Sequence, residues 1–329
     1  MRTPADVAEI DDTVCLAKRR VLNMYAITGI TGKVGGELAR RLLAAEKPVR
    51  AVIRDAAKGQ SWADKGCEVA IAAMEDAAAL TAAFREVDGV FILPPSEFDP
   101  APGFPEARAV ISAVKTALET ARPGKVVCLS TVGAQSPETN LLTQRTLMER
   151  ALGELAVPLA ILRPGWFMEN FAWDAASARD NGVIASFLQP LDKPVPMIAT
   201  ADVGRVAAEL LQEDWNGCRV VELEAARRIT PHEVAAAFAR ILGRPVRAEA
   251  VPRENWDSLF RSEGMKNPMP RIRMLDGFNE GWIEFERGET GSMKGKVALE
   301  TVLQGLGCIP QTPRADVANV PIDLTSASR

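Results

Sequence analysis

One histidine, His232, and one tyrosine, Tyr25, are all that 329 residues contain of either type. Metal centres built from several histidines are excluded, and a serine–histidine–acid triad would have to use His232. That residue follows Thr230-Pro231 and precedes Glu233, the pattern of a helix capping box, which predicts a solvent-facing histidine at a helix start. Cysteine is sparse as well. Cys15, Cys67, Cys128, Cys218 and Cys308 stand far apart, and no C-x-x-C pair occurs, which argues against a disulfide framework or a zinc cluster. Cys128 lies in an apolar run and reads as a core residue. Net charge is −4 with scattered basic residues, so no stripe suits a nucleic-acid backbone. No apolar stretch reaches the roughly 18–20 residues that a membrane helix needs, and the N-terminus lacks the layout of a signal peptide. These absences predict a cytoplasmic protein with neither a nucleic-acid nor a membrane partner.

What is present is an alternation of short apolar runs and longer helical stretches from Met24 onward. The runs Met24–Thr28, Val49–Ile53, Glu68–Ala72, Gly89–Leu93, Lys125–Ser130, Pro158–Leu162 and Arg219–Leu223 read as strands. Several carry apolar residues on both faces, as strands covered by helices on both sides do. Between them, Pro105–Ala121 repeats apolar residues at helical steps (Val110, Ile111, Val114, Leu118), and Asp202 is placed to cap the helix through Leu211. The predicted fold is α/β, a doubly wound parallel Rossmann sheet with a smaller C-terminal α+β lobe. Residues 1–23 read as an N-terminal extension and 24–165 as the nucleotide-binding domain, to which the chain returns at about 196–225. Residues 226–308, together with 166–195, form the small lobe, with an aromatic-rich stretch from Trp256 to Phe285, and 309–329 read as a mobile tail.

The densest signal is the string from Tyr25 to Gly36, YAITGITGKVGG: a strand, a glycine-rich turn and a helix start in succession. Gly29 permits the tight turn, Gly32 lets the backbone approach a pyrophosphate, and Gly35 lets helix and strand pack closely. Free N–H groups at the helix start then face the anion. At the end of the second strand, Arg54 suits the 2′-phosphate of NADP and Lys58 adds a second positive charge, whereas Asp55 stands where an acid would grip the ribose hydroxyls of NAD. NADP(H) is the favoured cofactor and NAD(H) the alternative.

Carrying these motifs, the chain resembles the NmrA-like group of atypical short-chain dehydrogenase/reductases from Met24 to about Gly307. The likeness rests on the glycine turn, Val49–Arg54, Leu129–Ala134, Ala201–Arg205, Asp276–Trp282 and most of all Ile161–Phe171, ILRPGWFMENF. The resemblance implies activities ranging from quinone or azo-dye reduction to nucleotide sensing without turnover. It also implies phosphate contacts from Gly29, Thr31, Gly32, Lys33 and Val34, with Arg54 on the 2′-phosphate. Met74 would then border the adenine, Leu93 and Pro94 the adenosine ribose, and Ser130, Pro164 and Gly165 the nicotinamide.

One departure from the larger superfamily is informative. Short-chain dehydrogenases donate a proton from a Tyr-x-x-x-Lys helix, but the two places fall here at Leu141 and Arg145, and Tyr25 lies in the first strand. Ketone reduction produces a strongly basic alkoxide that wants an acid. A quinone instead yields a phenolate-like anion whose conjugate acid has a pKa near about 10, which water can protonate, so hydride transfer needs mainly proximity. The expected activity is NAD(P)H-dependent reduction of a small activated acceptor, a quinone or azo compound. Ser130, Thr131 and Asn170 would orient the acceptor in a pocket shaped by Trp166, Phe167 and Met168. Bland readings stand beside these: Trp166 and Phe167 as interlobe packing, Arg145 as half of a surface ion pair. A rival class is a non-catalytic NAD(P)H sensor acting through a protein partner, and a homodimer is compatible with either.

Overall fold

A computed structural model describes residues 24–306. The N-terminal extension, the tail, Cys15 and Cys308 lie outside the described residues. The chain runs β1 (Tyr25–Thr28), α1 (Lys33–Ala44), β2 (Val49–Ile53), α2 (Gln60–Ala63), β3 (Glu68–Ile71), α3 (Ala77–Phe84), β4 (Gly89–Ile92), α4 (Pro105–Ala121), β5 (Val126–Leu129), α5 (Thr143–Leu152) and β6 (Leu159–Pro164). There follow β7 (Trp166–Phe167), a 3-10 turn at Met168–Ala172, α6 (Ala175–Asn181), β8 (Val183–Ser186), β9 (Met197–Ile198), α7 (Thr200–Gln212) and β10 (Cys218–Glu224). The last elements are α8 (Pro231–Leu242), β11 (Arg247–Ala250), α9 (Trp256–Ser262), α10 (Met269–Glu280), α11 (Gly288–Gly291), β12 (Met293–Lys294) and α12 (Leu299–Leu306).

Eight strands form one parallel sheet in the order β12-β10-β6-β5-β4-β1-β2-β3. Parallel strands need crossover helices, and these cover both faces. Strands β1, β4, β5 and β6 are buried along their whole length, so their alternate side chains feed two separate cores. One core gathers Ile27, Phe91, Val127 and Leu162 under α1 and α7, and the other gathers Ala26, Ile92, Cys128 and Ile161 under α3 and α4. Cys128 is the core residue expected, and burial pushes its thiol up to about 12. A third cluster, with Trp256, Phe260, Phe278 and Phe285 at its centre, holds α8, α9 and α10 against the segment from Met168 to Met197.

Two helix starts show how local and distant capping divide the work. At α8, Thr230 and Glu233 form the complete capping box, and His232 is exposed beside it. At α7 the cap is not Asp202. The helix begins earlier, at Thr200, whose amide donates to both carboxylate oxygens of Glu169, at 2.9 and 3.0 Å. Asp202 instead turns inward, accepting from the amides of Lys296 and Val297 at 2.9 and 2.8 Å and pairing with Arg205 at 3.1 Å. A carboxylate 31 residues away had satisfied the helix end, which no local pattern announces. The strand after α5 runs Leu159–Pro164, two residues further than the sequence pattern suggests, because pairing with the chain after β5 continues through the Pro164 carbonyl, which accepts from the Val132 amide.

Phe91 is fully buried between β1 and β5. Phe91→Ala is expected to cost about 3–5 kcal/mol in urea unfolding. A loss below about 1 kcal/mol would contradict its central position in the core.

Candidate active site

The carboxyl ends of the central strands share one edge of the sheet, where open α/β sheets hold their ligands. Gly29 follows β1, Leu93 follows β4, Ser130 follows β5 and Gly165 follows β6. Thr28 ties the first two together: its hydroxyl donates to the Phe91 carbonyl at 3.0 Å and accepts from the Leu93 amide at 2.8 Å. Tyr25 sits at the other end of β1, paired with Gly89 and Val49, and is buried there. Its pKa is raised by burial and by the nearby Asp88 and Asp214.

Gly29 has φ +64°, the left-handed region that side chains avoid. A Cβ on Gly35 would lie 2.5 Å from the Gly29 carbonyl oxygen, so no other residue lets α1 stand this close to the turn. The Gly32 amide closes the turn on Gly29, at 3.0 Å, and the Gly36 amide makes the first helical bond, to Gly32 at 2.9 Å. The amides of Lys33, Val34 and Gly35 precede that bond and lack a carbonyl one turn back. No side chain caps the helix and no acid stands in its first turn, while Thr31 and Lys33 are exposed. This donor set fits a diphosphate.

Next to the turn, a recess of about 300 Å³ is bounded by Thr31, Gly32, Gly36, Arg40, Lys58, Ser61 and Trp62. Sequence reasoning named Lys58 but not Arg40, Ser61 or Trp62, whose contribution depends on how α2 lies against α1. Arg54 is exposed and has no ion-pair partner among the described residues. Asp55 is used locally: it caps the 56–58 turn through the Ala57 amide at 3.0 Å and lies 3.9 Å from Lys58. Met74 is half-buried against the core on the β3 side.

On the other half of the edge, Ser130 does not point outward. Its buried hydroxyl donates to Glu149, which also receives Arg163 in a bidentate pair at 3.0 and 2.6 Å. Arg163 reaches on to Glu286 at 2.9 Å and lies 3.8 Å from Glu222. Burial disfavours the charged guanidinium, but Glu149 and Glu286 more than offset this and its pKa is raised. Thr131, next in the chain, is half-buried and its hydroxyl has no hydrogen-bond partner among the described residues. Pro164 is buried and accepts from the Val132 amide at 2.8 Å, and the Gly165 amide donates to Leu223 at 2.9 Å.

The aromatic wall is half-buried, not enclosed: Trp166 meets Phe278 edge-on, centroids 5.4 Å apart, and its buried Nε1 has no acceptor among the described residues. Phe167 leans on the α1–α7 core, Met168 is fully buried in the lobe, and the Asn170 side chain is half-buried with no polar contact among the described residues.

At the two places expected for a tyrosine–lysine couple, Leu141 is buried ahead of α5, with its amide on the Pro270 carbonyl at 2.8 Å. Arg145 is not in a surface ion pair. It donates to the carbonyls of Pro94 and Pro95 at 3.0 and 3.1 Å and to the Ser96 hydroxyl at 2.6 Å, and so fastens the loop after β4. Desolvation of the half-buried guanidinium, which pairs with no carboxylate among the described residues, lowers its pKa to about 10.

The NmrA-like family profile matches residues 23–280, and the chain belongs to that family. It is 29% identical over 260 residues to the NAD(P)H azoreductase of Xenophilus azovorans, an alignment covering 78% of this chain and 85% of the relative. It is 32% identical over 235 residues to the (4-alkanoyl-5-oxo-2,5-dihydrofuran-3-yl)methyl phosphate reductase of Streptomyces griseus, covering 69% and 76%. The crystal structure of an NADPH-dependent quinone oxidoreductase from Escherichia coli in complex with NADPH has the same fold, with TM-score 0.72 at 23% identity, covering 86% of this chain and all of that one.

Arg163→Met is expected to cost about 3–5 kcal/mol, because it leaves the Glu149 carboxylate buried without its cation. Adding Glu149→Gln should recover part of that loss. Denaturant unfolding of the single and double variants checks this, and equal destabilisation of both would mean that the pair does not act as a unit.

Proposed function

We propose that this chain is an NADPH-dependent reductase that delivers hydride to a small activated acceptor, a quinone or an azo compound. The observation that carries this reading is the pairing of an uncapped, acid-free helix start behind a glycine turn with a site that holds neither tyrosine nor lysine at the superfamily's proton-donor positions. Gly29, Thr31, Gly32, Lys33, Val34 and Gly35 would hold the diphosphate through backbone donors. Arg54, unpaired, and Lys58 would meet the 2′-phosphate. Asp55 is turned to its own loop, which favours NADPH over NADH. Met74, Leu93 and Pro94 would flank the adenosine, with Arg145 stiffening the loop that Leu93 and Pro94 begin. Pro164 and Gly165 would border the nicotinamide. When bound, the cofactor supplies a hydride.

The protein's own part is orientation. Thr131 has a free hydroxyl and is the better donor to an acceptor oxygen, while Ser130 acts by holding Glu149 in place. Trp166, Phe167 and Asn170 would receive a planar aromatic acceptor, with Met168 packing behind them. The names of the azoreductase and quinone oxidoreductase relatives support this acceptor class. A quinone leaves an anion mild enough for hydride transfer to need proximity more than acid catalysis.

The test is to incubate the protein with NADPH and a panel of quinones and azo dyes and follow the loss of nicotinamide absorbance. Arg54→Gln should raise the KM for NADPH by roughly tenfold or more, the worth of one charge-assisted hydrogen bond, and leave NADH use unchanged. Tight NADPH binding without turnover of any acceptor would favour the sensor reading instead.

A further inference from the structure

NADPH carries a phosphate that NADH lacks, on the 2′-oxygen of its adenosine ribose, and the glycine turn accounts only for the diphosphate. The recess of about 300 Å³ beside the turn is built between the two segments that a cofactor lying across this edge passes. Thr31, Gly32, Gly36 and Arg40 bound it from the turn and α1, and Lys58 and Ser61 from the chain after β2. Trp62, buried in the core that α1 shares, fixes the second wall against the first. A Cβ at Gly36 would stand 3.3 Å from a guanidinium nitrogen of Arg40 and 3.7 Å from the Trp62 ring, so the missing side chain keeps the space between them open.

Among the described residues no carboxylate lines the recess, and its cations are incompletely neutralised. Arg40 pairs with Glu37 at 3.1 Å, but the other oxygen of that carboxylate takes Arg41 at 2.7 Å, so one acid serves two guanidinium groups. Lys58 lies 3.9 Å from Asp55, whose other oxygen accepts from the Ala57 amide. The exposed Thr31 hydroxyl has no hydrogen-bond partner among the described residues. Ser61 Oγ donates to the Lys58 carbonyl at 3.3 Å, a long bond that a charged acceptor can replace. A further cation, Lys65, holds the Ser61 carbonyl at 2.7 Å and lies 5.4 Å from the Trp62 ring centroid. Arg54 is not among the residues that bound this space.

We propose that this recess receives the 2′-phosphate of NADPH, and that Arg40 and Ser61, acting with Lys58, determine the choice of NADPH over NADH; the inference rests on the cofactor reading above. A phosphate monoester carries about −1.5 to −2 charge at neutral pH and offers three acceptor oxygens. Arg40 and Lys58 supply the opposite charge, and Ser61 and Thr31 the neutral donors, on a wall without acids. Gly32 belongs both to the turn and to the recess, so an anion held here lies beside the diphosphate donors, as a ligand carrying both groups requires. Arg40 lies on α1 beyond the glycine motif and Ser61 on α2, and only the packing of Trp62 brings them to one space.

The experiment is calorimetric titration of the whole chain with 2′,5′-ADP, 3′,5′-ADP and 5′-AMP, which needs no turnover. Wild type should bind 2′,5′-ADP about thirtyfold or more tighter than 5′-AMP, the worth of more than one charge-assisted hydrogen bond. 3′,5′-ADP, with the same charge one carbon away, should stay close to 5′-AMP. Arg40→Gln should weaken 2′,5′-ADP about tenfold and Ser61→Ala about threefold, with 5′-AMP shifted less than about twofold in both. Arg41→Gln removes the same charge from the next position of α1 but from outside the recess, and should cost less than about twofold. Arg40→Lys, which keeps the charge and loses the fork, should recover part of the affinity. Equal losses in the Arg40 and Arg41 variants, no loss in either recess variant, a loss confined to Arg54→Gln, or equal binding of the two ADP isomers would overturn the proposal and leave nucleotide binding standing. A wild type that binds none of the three ligands, nor NADPH itself, would remove the cofactor reading as well.

Discussion

The closeness of α1 to β1 is the constraint on which the site depends. With 2.5 Å between the Gly29 carbonyl oxygen and any Cβ at residue 35, the helix can begin directly behind the turn only because residue 35 has no side chain. That contact puts the unbonded amides of the first helical turn directly behind the glycine turn and keeps the α1 face against α7 and the core beneath. The rest of the edge is then built outward from β1. Thr28 locks β4 to it, Arg145 holds the loop beyond β4, and the Ser130–Glu149–Arg163 group fastens β5, α5 and β6 together.

The two halves of this edge use charge in opposite ways. Around the glycine turn, Arg54 and Lys33 are exposed and make no ion pair among the described residues. Under β5 and β6, a buried arginine is surrounded by carboxylates and nothing is left over, so the network holds shape and offers no free acid.

Much of this was legible in the order of residues. Strand runs such as GVFI and VVCL, apolar on every position, declare a sheet covered on both faces, and they became the buried central strands. The capping box at Thr230 explained His232 completely. Other features were hidden because their partners are far apart in sequence. Ser130 looks like a hydroxyl beside a ligand until Glu149 is seen to take it, and Arg145 looks like a surface charge until three oxygens of residues 94–96 are found around it. Asp202 was misplaced for the same reason, since Glu169 had already closed the helix it was expected to cap.

By itself, the sequence determined the parallel sheet, the glycine turn and the lack of a tyrosine–lysine couple, because each depends on residue type and short spacing alone. Tertiary structure alone decided which polar side chains are free. A hydrogen bond is exclusive, so whether Thr131 or Arg54 can meet a ligand depends on what every distant neighbour has already taken.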